Sequence, residues 1–160
     1  MAGQATRGQR LRIGVTFKKL TNLVELKLNN CDITEESVTN VFNFLNDSNI
    51  QHLEIDSNNF GSMGTMTAIK KIQASSKLKY ISYQNMTFEA YFVPMIIQAL
   101  NINNSIETID FRQNDISEDE LRKLCEATNK LKRPKLIFSV NKVPEGAMDI
   151  IGDNNFIVLQ

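Results

Sequence analysis

The sequence has one histidine, two cysteines and no surplus of either charge, and each shortage removes a class of function. His52, with Cys31 and Cys125 far apart in the chain, cannot supply the four Cys and His ligands of a structural zinc centre. Lysine and arginine total 18, as do aspartate and glutamate, so the formal net charge is zero. A dedicated nucleic-acid binder rests on surplus cations that neutralise phosphates. A polybasic membrane-surface protein needs the same surplus. The longest apolar run, Ala90 to Ile97, is eight residues and includes Pro94, whereas a membrane-spanning helix takes about 20. The first ten residues, MAGQATRGQR, lack the apolar stretch of a signal peptide. No G-x-S-x-G, P-loop or G-x-G-x-x-G pattern is present. The expectation is a non-enzymatic chain with no cofactor, no resident metal, no nucleic-acid partner and no membrane insertion, placed in the cytoplasm.

What the sequence has is a period. Leu23, Leu26, Leu28, Cys31 and Ile33 follow L-x-x-L-x-L-x-x-(N/C)-x-I. The pattern returns at Ile50, Leu53, Ile55, Asn58 and Phe60, then at Leu78, Ile81, Tyr83, Met86 and Phe88. A fourth copy has Ile106, Ile109, Phe111, Asn114 and Ile116. The fifth has Leu136, Phe138, Asn141 and Val143, with Arg133 at the first apolar position. Starts at 23, 50, 78, 106 and 133 give steps of 27, 28, 28 and 27. A fixed period of this length means a solenoid of stacked units, because one unit cannot bury its own apolar face.

Each L-x-L core predicts a short strand, centred on 25–28, 52–55, 80–83, 108–111 and 135–138. Helical spacing follows each strand: Val38, Val41, Phe42 and Leu45; then Ala68, Ile69 and Ile72; then Val93, Ile96, Ile97 and Leu100; then Leu121, Leu124, Cys125 and Thr128. Ser117 with Glu120 reads as a capping box, and Thr34 as the cap of the first helix. Pro94 should kink the third helix or delay its start to about Val93. Gly61 and Gly64 read as turn residues. The acidic run from Asp115 to Glu120 reads as a helix N-terminus, and Lys130, Lys132, Arg133 and Lys135 as a helix C-terminus. Ala147, Met148, Ile150 and Ile151 predict a short helix, and Phe156 to Leu159 a sixth strand. Three strand spacings separate the cysteines by at least ~14 Å, too far for a disulfide, so both are expected as free thiols in a reducing compartment.

The motif and its 27- to 28-residue period resemble the ribonuclease-inhibitor type of leucine-rich repeat, over about residues 23–143. The resemblance implies an α/β solenoid, a short curved arc of five to six strand-helix repeats. Its parallel sheet lies on the concave face and its helices on the convex face. Residues 1–10 are expected to be a flexible segment and 11–160 a single domain, with 11–22 a partial first repeat or cap and 144–160 a C-terminal cap. Self-association through exposed solenoid ends is allowed. Met86 stands where the motif usually has an asparagine, so the third turn is expected to be irregular or wetter. Buried Tyr83 needs a partner for its hydroxyl.

Strand alternation assigns the concave face. It comprises Glu25, Lys27, Asn29 and Asn30; His52, Glu54, Asp56 and Ser57; Tyr80, Ser82, Gln84 and Asn85; Thr108, Asp110, Arg112 and Gln113; and Lys135, Ile137, Ser139 and Val140. Tyr80 should sit beside His52, near Glu54, Asp56 and Asp110. Tyrosine and arginine are favoured interface anchors, so this face is the expected surface for a protein partner. Exchanging Tyr80 and Arg112 together for Ala is expected to leave folding intact. Three alternatives stand beside this reading. One is a regulator resembling the leucine-rich-repeat GTPase activators, with Arg112 as its catalytic side chain. Another is an actin-binding cytoskeletal cap resembling the tropomodulin repeat domain. The third is a ligand-sensing fragment of a larger receptor.

Overall fold

A computed structural model of the chain describes residues 22–43, 45, 48–139 and 142–160. The expectations for residues 1–21, and those for Val140 and Asn141, fall outside the described residues. Strands and helices alternate: β1 (Glu25–Lys27), α1 (Glu35–Phe42), β2 (His52–Glu54), α2 (Gly61–Ala74), β3 (Tyr80–Ser82), α3 (Phe92–Ile102), β4 (Thr108–Asp110), α4 (Glu118–Leu131), β5 (Lys135–Phe138), α5 (Ala147–Ile151) and β6 (Ile157–Leu159). The six strands form one sheet in sequence order. Every neighbouring pair is parallel.

The register reproduces the sequence period. Leu26, Leu53, Ile81, Ile109, Leu136 and Ile157 pair in one row across the sheet. All six are buried and share one core with the helices. Each helix packs on the next. Leu28, Ile55, Tyr83, Phe111 and Phe138 make a second buried row, deeper along the strands. Its rings touch in sequence, Tyr83 to Phe111 edge-on at 6.2 Å and Phe111 on Phe138 stacked at 5.6 Å, and Phe60, outside the row, meets Tyr83 edge-on at 6.3 Å. The Tyr83 hydroxyl finds its partner in Thr65 Oγ1, 3.1 Å away. Burial pushes this phenol up to about 12.

Helix starts follow local chemistry. Ser117 N–H donates to Glu120 Oε2 at 2.6 Å, closing the expected box on α4. Thr34 precedes α1, and its N–H donates to Ser37 Oγ at 2.9 Å. Pro94 is the third residue of α3, so the helix is delayed rather than kinked. Gly61 is the first residue of α2, with the positive φ of +60° that favours glycine there. Gly64 corrects the turn reading. It is buried inside α2, where a Cβ would lie 3.1 Å from Val38 Cγ1 and 3.2 Å from Glu35 Cα. Glycine at this position allows the close approach of α1.

The turns after the strands repeat one conformation. Asn30, Ser57, Asn85 and Gln113, spaced like the strands, all have positive φ, between 49° and 62°. Asn58 and Asn114 tie successive turns together. Asn58 Oδ1 accepts from Cys31 and Ile33 N–H, and its Nδ2 donates to Leu28 and Ile55 carbonyls. Met86 keeps one link of this ladder and, having no amide, none of the donations that Asn58 and Asn114 make to carbonyls. Its sulfur accepts the Asn58 N–H at 3.1 Å, and its own N–H donates to Asn114 Oδ1 at 2.8 Å. Arg133, where an apolar residue was the norm, reaches back to the preceding repeat and donates from Nη2 to Leu100 O and Asn104 Oδ1.

A second polar ladder, absent from the expectations, serves the helix-to-strand turns. Ser48, Ser75 and Asn103 stand 27 and 28 residues apart. Their side-chain oxygens accept from Ile50, Leu78 and Ile106 N–H respectively. Asn103 Nδ2 also donates to Ile72 and Ser75 carbonyls of the previous repeat. Asn154 does the same work before β6, accepting from Ile157 N–H and donating to Cys125 O. Cys31 and Cys125 are both free thiols. Among the described residues, no helix is long and apolar enough to cross a membrane.

Candidate functional site

With the helices against one face of the sheet, the other face is open. Register lines up Glu25, His52, Tyr80, Thr108 and Lys135 in one row, and Lys27, Glu54, Ser82, Asp110 and Ile137 in the next. Backbone pairing continues past the strands, through Asn30 N–H to Asp56 O, Ser57 N–H to Gln84 O and Asn85 N–H to Arg112 O. Asn29, Asp56, Gln84 and Arg112 therefore make a third row. Glu25, Lys27, Asn29 and Gln113 are exposed, and His52, Glu54, Asp56, Tyr80, Gln84, Thr108 and Arg112 are half-buried.

Among the described residues, four side chains of this face are covered, which alternation alone does not reveal. Ser82, Asp110, Ile137 and Ser139 are buried. Ser82 and Asp110 thus belong beneath the surface rather than on it. Ile137 and Ser139 are likewise covered, next to the edge where β6 joins β5.

Asp110 organises the centre. Its carboxylate is fully buried and accepts from Arg112 at Nε (3.0 Å) and Nη2 (2.7 Å), and from Arg112 N–H (3.0 Å). Tyr80 Oη and Gln84 Nε2 donate to Asp110 Oδ2 at 3.2 and 3.0 Å, the oxygen that also takes Arg112 Nη2. Burial, then the Asp110 charge, raises the Tyr80 phenol above its usual value. Asp56 is the neighbouring anchor, accepting from Ser82 Oγ and Gln84 N–H, each at 2.7 Å. Because Arg112 is the lid and counter-charge of Asp110, it is not a free surface side chain. The expectation that exchanging Tyr80 and Arg112 together for Ala leaves folding intact therefore carries a cost, because removing Arg112 strands a buried carboxylate.

Toward β1 the face is ionic. His52 stacks on Tyr80 with ring centres 4.2 Å apart and planes 12° from parallel. Its Nε2 lies 3.0 Å from Glu54 Oε1. The Lys27 ammonium bridges Glu25 (3.0 Å) and Glu54 (2.9 Å), and Asn29 Nδ2 donates to Glu54 Oε2 at 2.9 Å. Burial alone would raise the Glu54 carboxyl, but hydrogen bonds from Lys27, His52 and Asn29 outweigh it and hold it at about 2. A carboxyl lowered by folding stabilises the fold fully above its unfolded value of about 4.5 and loses that contribution as pH falls through about 2. Glu54→Gln should therefore lose about 1–2 kcal/mol near neutral pH. Its deficit against the native chain should close as urea midpoints are followed from pH 5 down to 2.5. A constant deficit would show that the carboxylate's charge is not what stabilises this corner.

Neither cysteine has a reactive setting. Burial raises the thiols of both Cys31 and Cys125, with Asp32 adding to the effect at Cys31.

No protein-family model matches the chain, and no curated protein matches it by sequence. Solved structures do. The tropomodulin C-terminal domain of Caenorhabditis elegans matches with a TM-score of 0.70 at 10 % identity, over 91 % of this chain and 90 % of that one. Leiomodin-1 actin-binding site 2 matches with a TM-score of 0.69 at 14 % identity, over 91 % of this chain and 86 % of that one. At such identities the likeness is one of fold, a parallel sheet built from successive strand-helix units.

Proposed function

We propose that the chain is a non-enzymatic interaction module, a leucine-rich-repeat arc whose concave sheet face binds a protein partner. The observation that carries this reading is the internal bracing of the open face. Asp56 and Asp110 hold Tyr80, Gln84 and Arg112 in place before any partner arrives. Side chains already ordered lose little entropy on binding. The aromatic and arginine anchors favoured at interfaces stand at the centre. The GTPase-activator alternative draws no support from this face, since Arg112 turns its Nε and Nη2 back onto Asp110.

Thr108 gives the cleanest test. It sits mid-row between Tyr80 and Lys135, and Arg at this position would project from the face without dismantling the Asp110 network. Thr108→Arg should keep the thermal midpoint of the native chain while lowering capture of its protein partner by at least about tenfold, roughly 1.4 kcal/mol. Undiminished capture by the folded variant would move binding off this face.

An actin partner is the second reading, favoured by the match over some nine-tenths of both chains to a leiomodin-1 domain described as an actin-binding site. Co-sedimentation with actin filaments at about 50 µM, well above a low-micromolar Kd, tests it. Pelleting of the native chain but not of Thr108→Arg would join the two readings. Absence of the native chain from the pellet would remove actin.

A further inference from the structure

Glu25 and His52 are partners across the β1–β2 pair, and Glu54 follows His52 on the same face. Their donor atoms converge. His52 Nε2 is 3.0 Å from Glu54 Oε1 and 3.8 Å from Glu25 Oε1, and one donor atom from each residue lies within 4.8 Å of the others. A cation already stands between the carboxylates, the Lys27 ammonium, on a side chain 56 % exposed. The donors are braced from behind. Stacking on Tyr80 fixes the imidazole plane, and the Tyr80 hydroxyl is itself tied to Asp110. Asn29 holds Glu54 Oε2, which leaves Oε1 facing His52 and Lys27. Outer contacts of this kind orient metal ligands and set their affinity.

We propose that Glu25, His52 and Glu54 form a zinc site in which the metal displaces the Lys27 ammonium. One imidazole and two carboxylates make a three-ligand set that water completes to a tetrahedron. The imidazole selects against magnesium and calcium, which take oxygen ligands, and the lack of a thiolate selects against Cu(I). Charge favours the exchange, because two carboxylates balance a dication where the ammonium balances only one of them. Bound zinc would clamp β1 to β2 and present its water-filled position on the open face. Sequence inspection does not reveal the cluster, since Glu25 and His52 are 27 residues apart and meet only through register.

His52 is the sole histidine, so its imidazole proton signals report coordination directly. Zinc chloride titrated into chelator-stripped Cys31→Ser protein should give one saturable site, with the His52 signals shifting to an end point at one equivalent. His52→Gln should weaken zinc binding at least tenfold. Lys27→Met, which keeps the apolar stem and removes the competing charge, should strengthen it at least tenfold. The Lys27 variant tests whether the metal takes the place of the ammonium. Unmoved His52 signals, equal affinity in His52→Gln, or a Lys27→Met affinity no better than the parent would each overturn the assignment.

Discussion

Replacing Ile109 with Ala should lower the free energy of unfolding by about 2–5 kcal/mol, the range for deleting a large aliphatic side chain from a packed core. Ile109 is the middle residue of β4, 5 % exposed, in the buried row between Ile81 and Leu136. Its side chain also lines an apolar cavity of about 50 Å³ shared with Ile81, Tyr83, Phe92, Ile106 and Phe111. Truncation enlarges a void that is already present, and each Å³ left unfilled costs about 24 cal/mol. The neighbouring side chains come from two adjacent strands and from α2 and α3, so no single element can shift to close the gap. Ile109→Val should cost about 0.5–1.5 kcal/mol. Urea denaturation of the two variants measures the difference. An unchanged midpoint for Ile109→Ala would mean that the apolar row does not hold the repeats together.

That row was legible because burial is one-sided. Apolar residues at alternate positions, recurring every 27 or 28 residues, leave a parallel in-register sheet as the arrangement that buries them all. Tyr80 beside His52 follows from the same register. The hydroxyl partner of Tyr83 was demanded by the sequence, but its identity, Thr65, was not. Other features escaped for physical reasons. The ladder of Ser48, Ser75 and Asn103 uses different residue types for one task, accepting an N–H two or three residues on, so no letter pattern marks it. Met86 looked like a flaw because the motif is written in amides, yet a thioether sulfur keeps one link as an acceptor, if a weak one. Gly64 looked like a turn because glycine usually marks one, whereas here it admits a neighbouring helix. On the open face, alternation states which side a residue leaves the strand. It does not state whether longer neighbours then fold over it, and Ser82 and Asp110 are covered in that way.

The covering of Asp110 leads to the second large effect. Arg112→Ala should destabilise the chain by about 2–4 kcal/mol. The figure sits at or below the usual range for breaking a buried ion pair, because the Arg112 side chain is 36 % exposed and water can partly replace it. What costs stability is the carboxylate left behind. Without the guanidinium, Asp110 keeps Tyr80 Oη, Gln84 Nε2 and the backbone N–H of residue 112, but loses its counter-charge. Removing that leftover charge should recover part of the loss. Asp110→Asn combined with Arg112→Ala should therefore be less destabilised than the sum of the two single changes, with a coupling of about 1–3 kcal/mol. A double-mutant cycle in urea measures it. Additive losses would mean that Arg112 acts through packing of its apolar stem, and the Asp110 network would then not be what holds the open face in order.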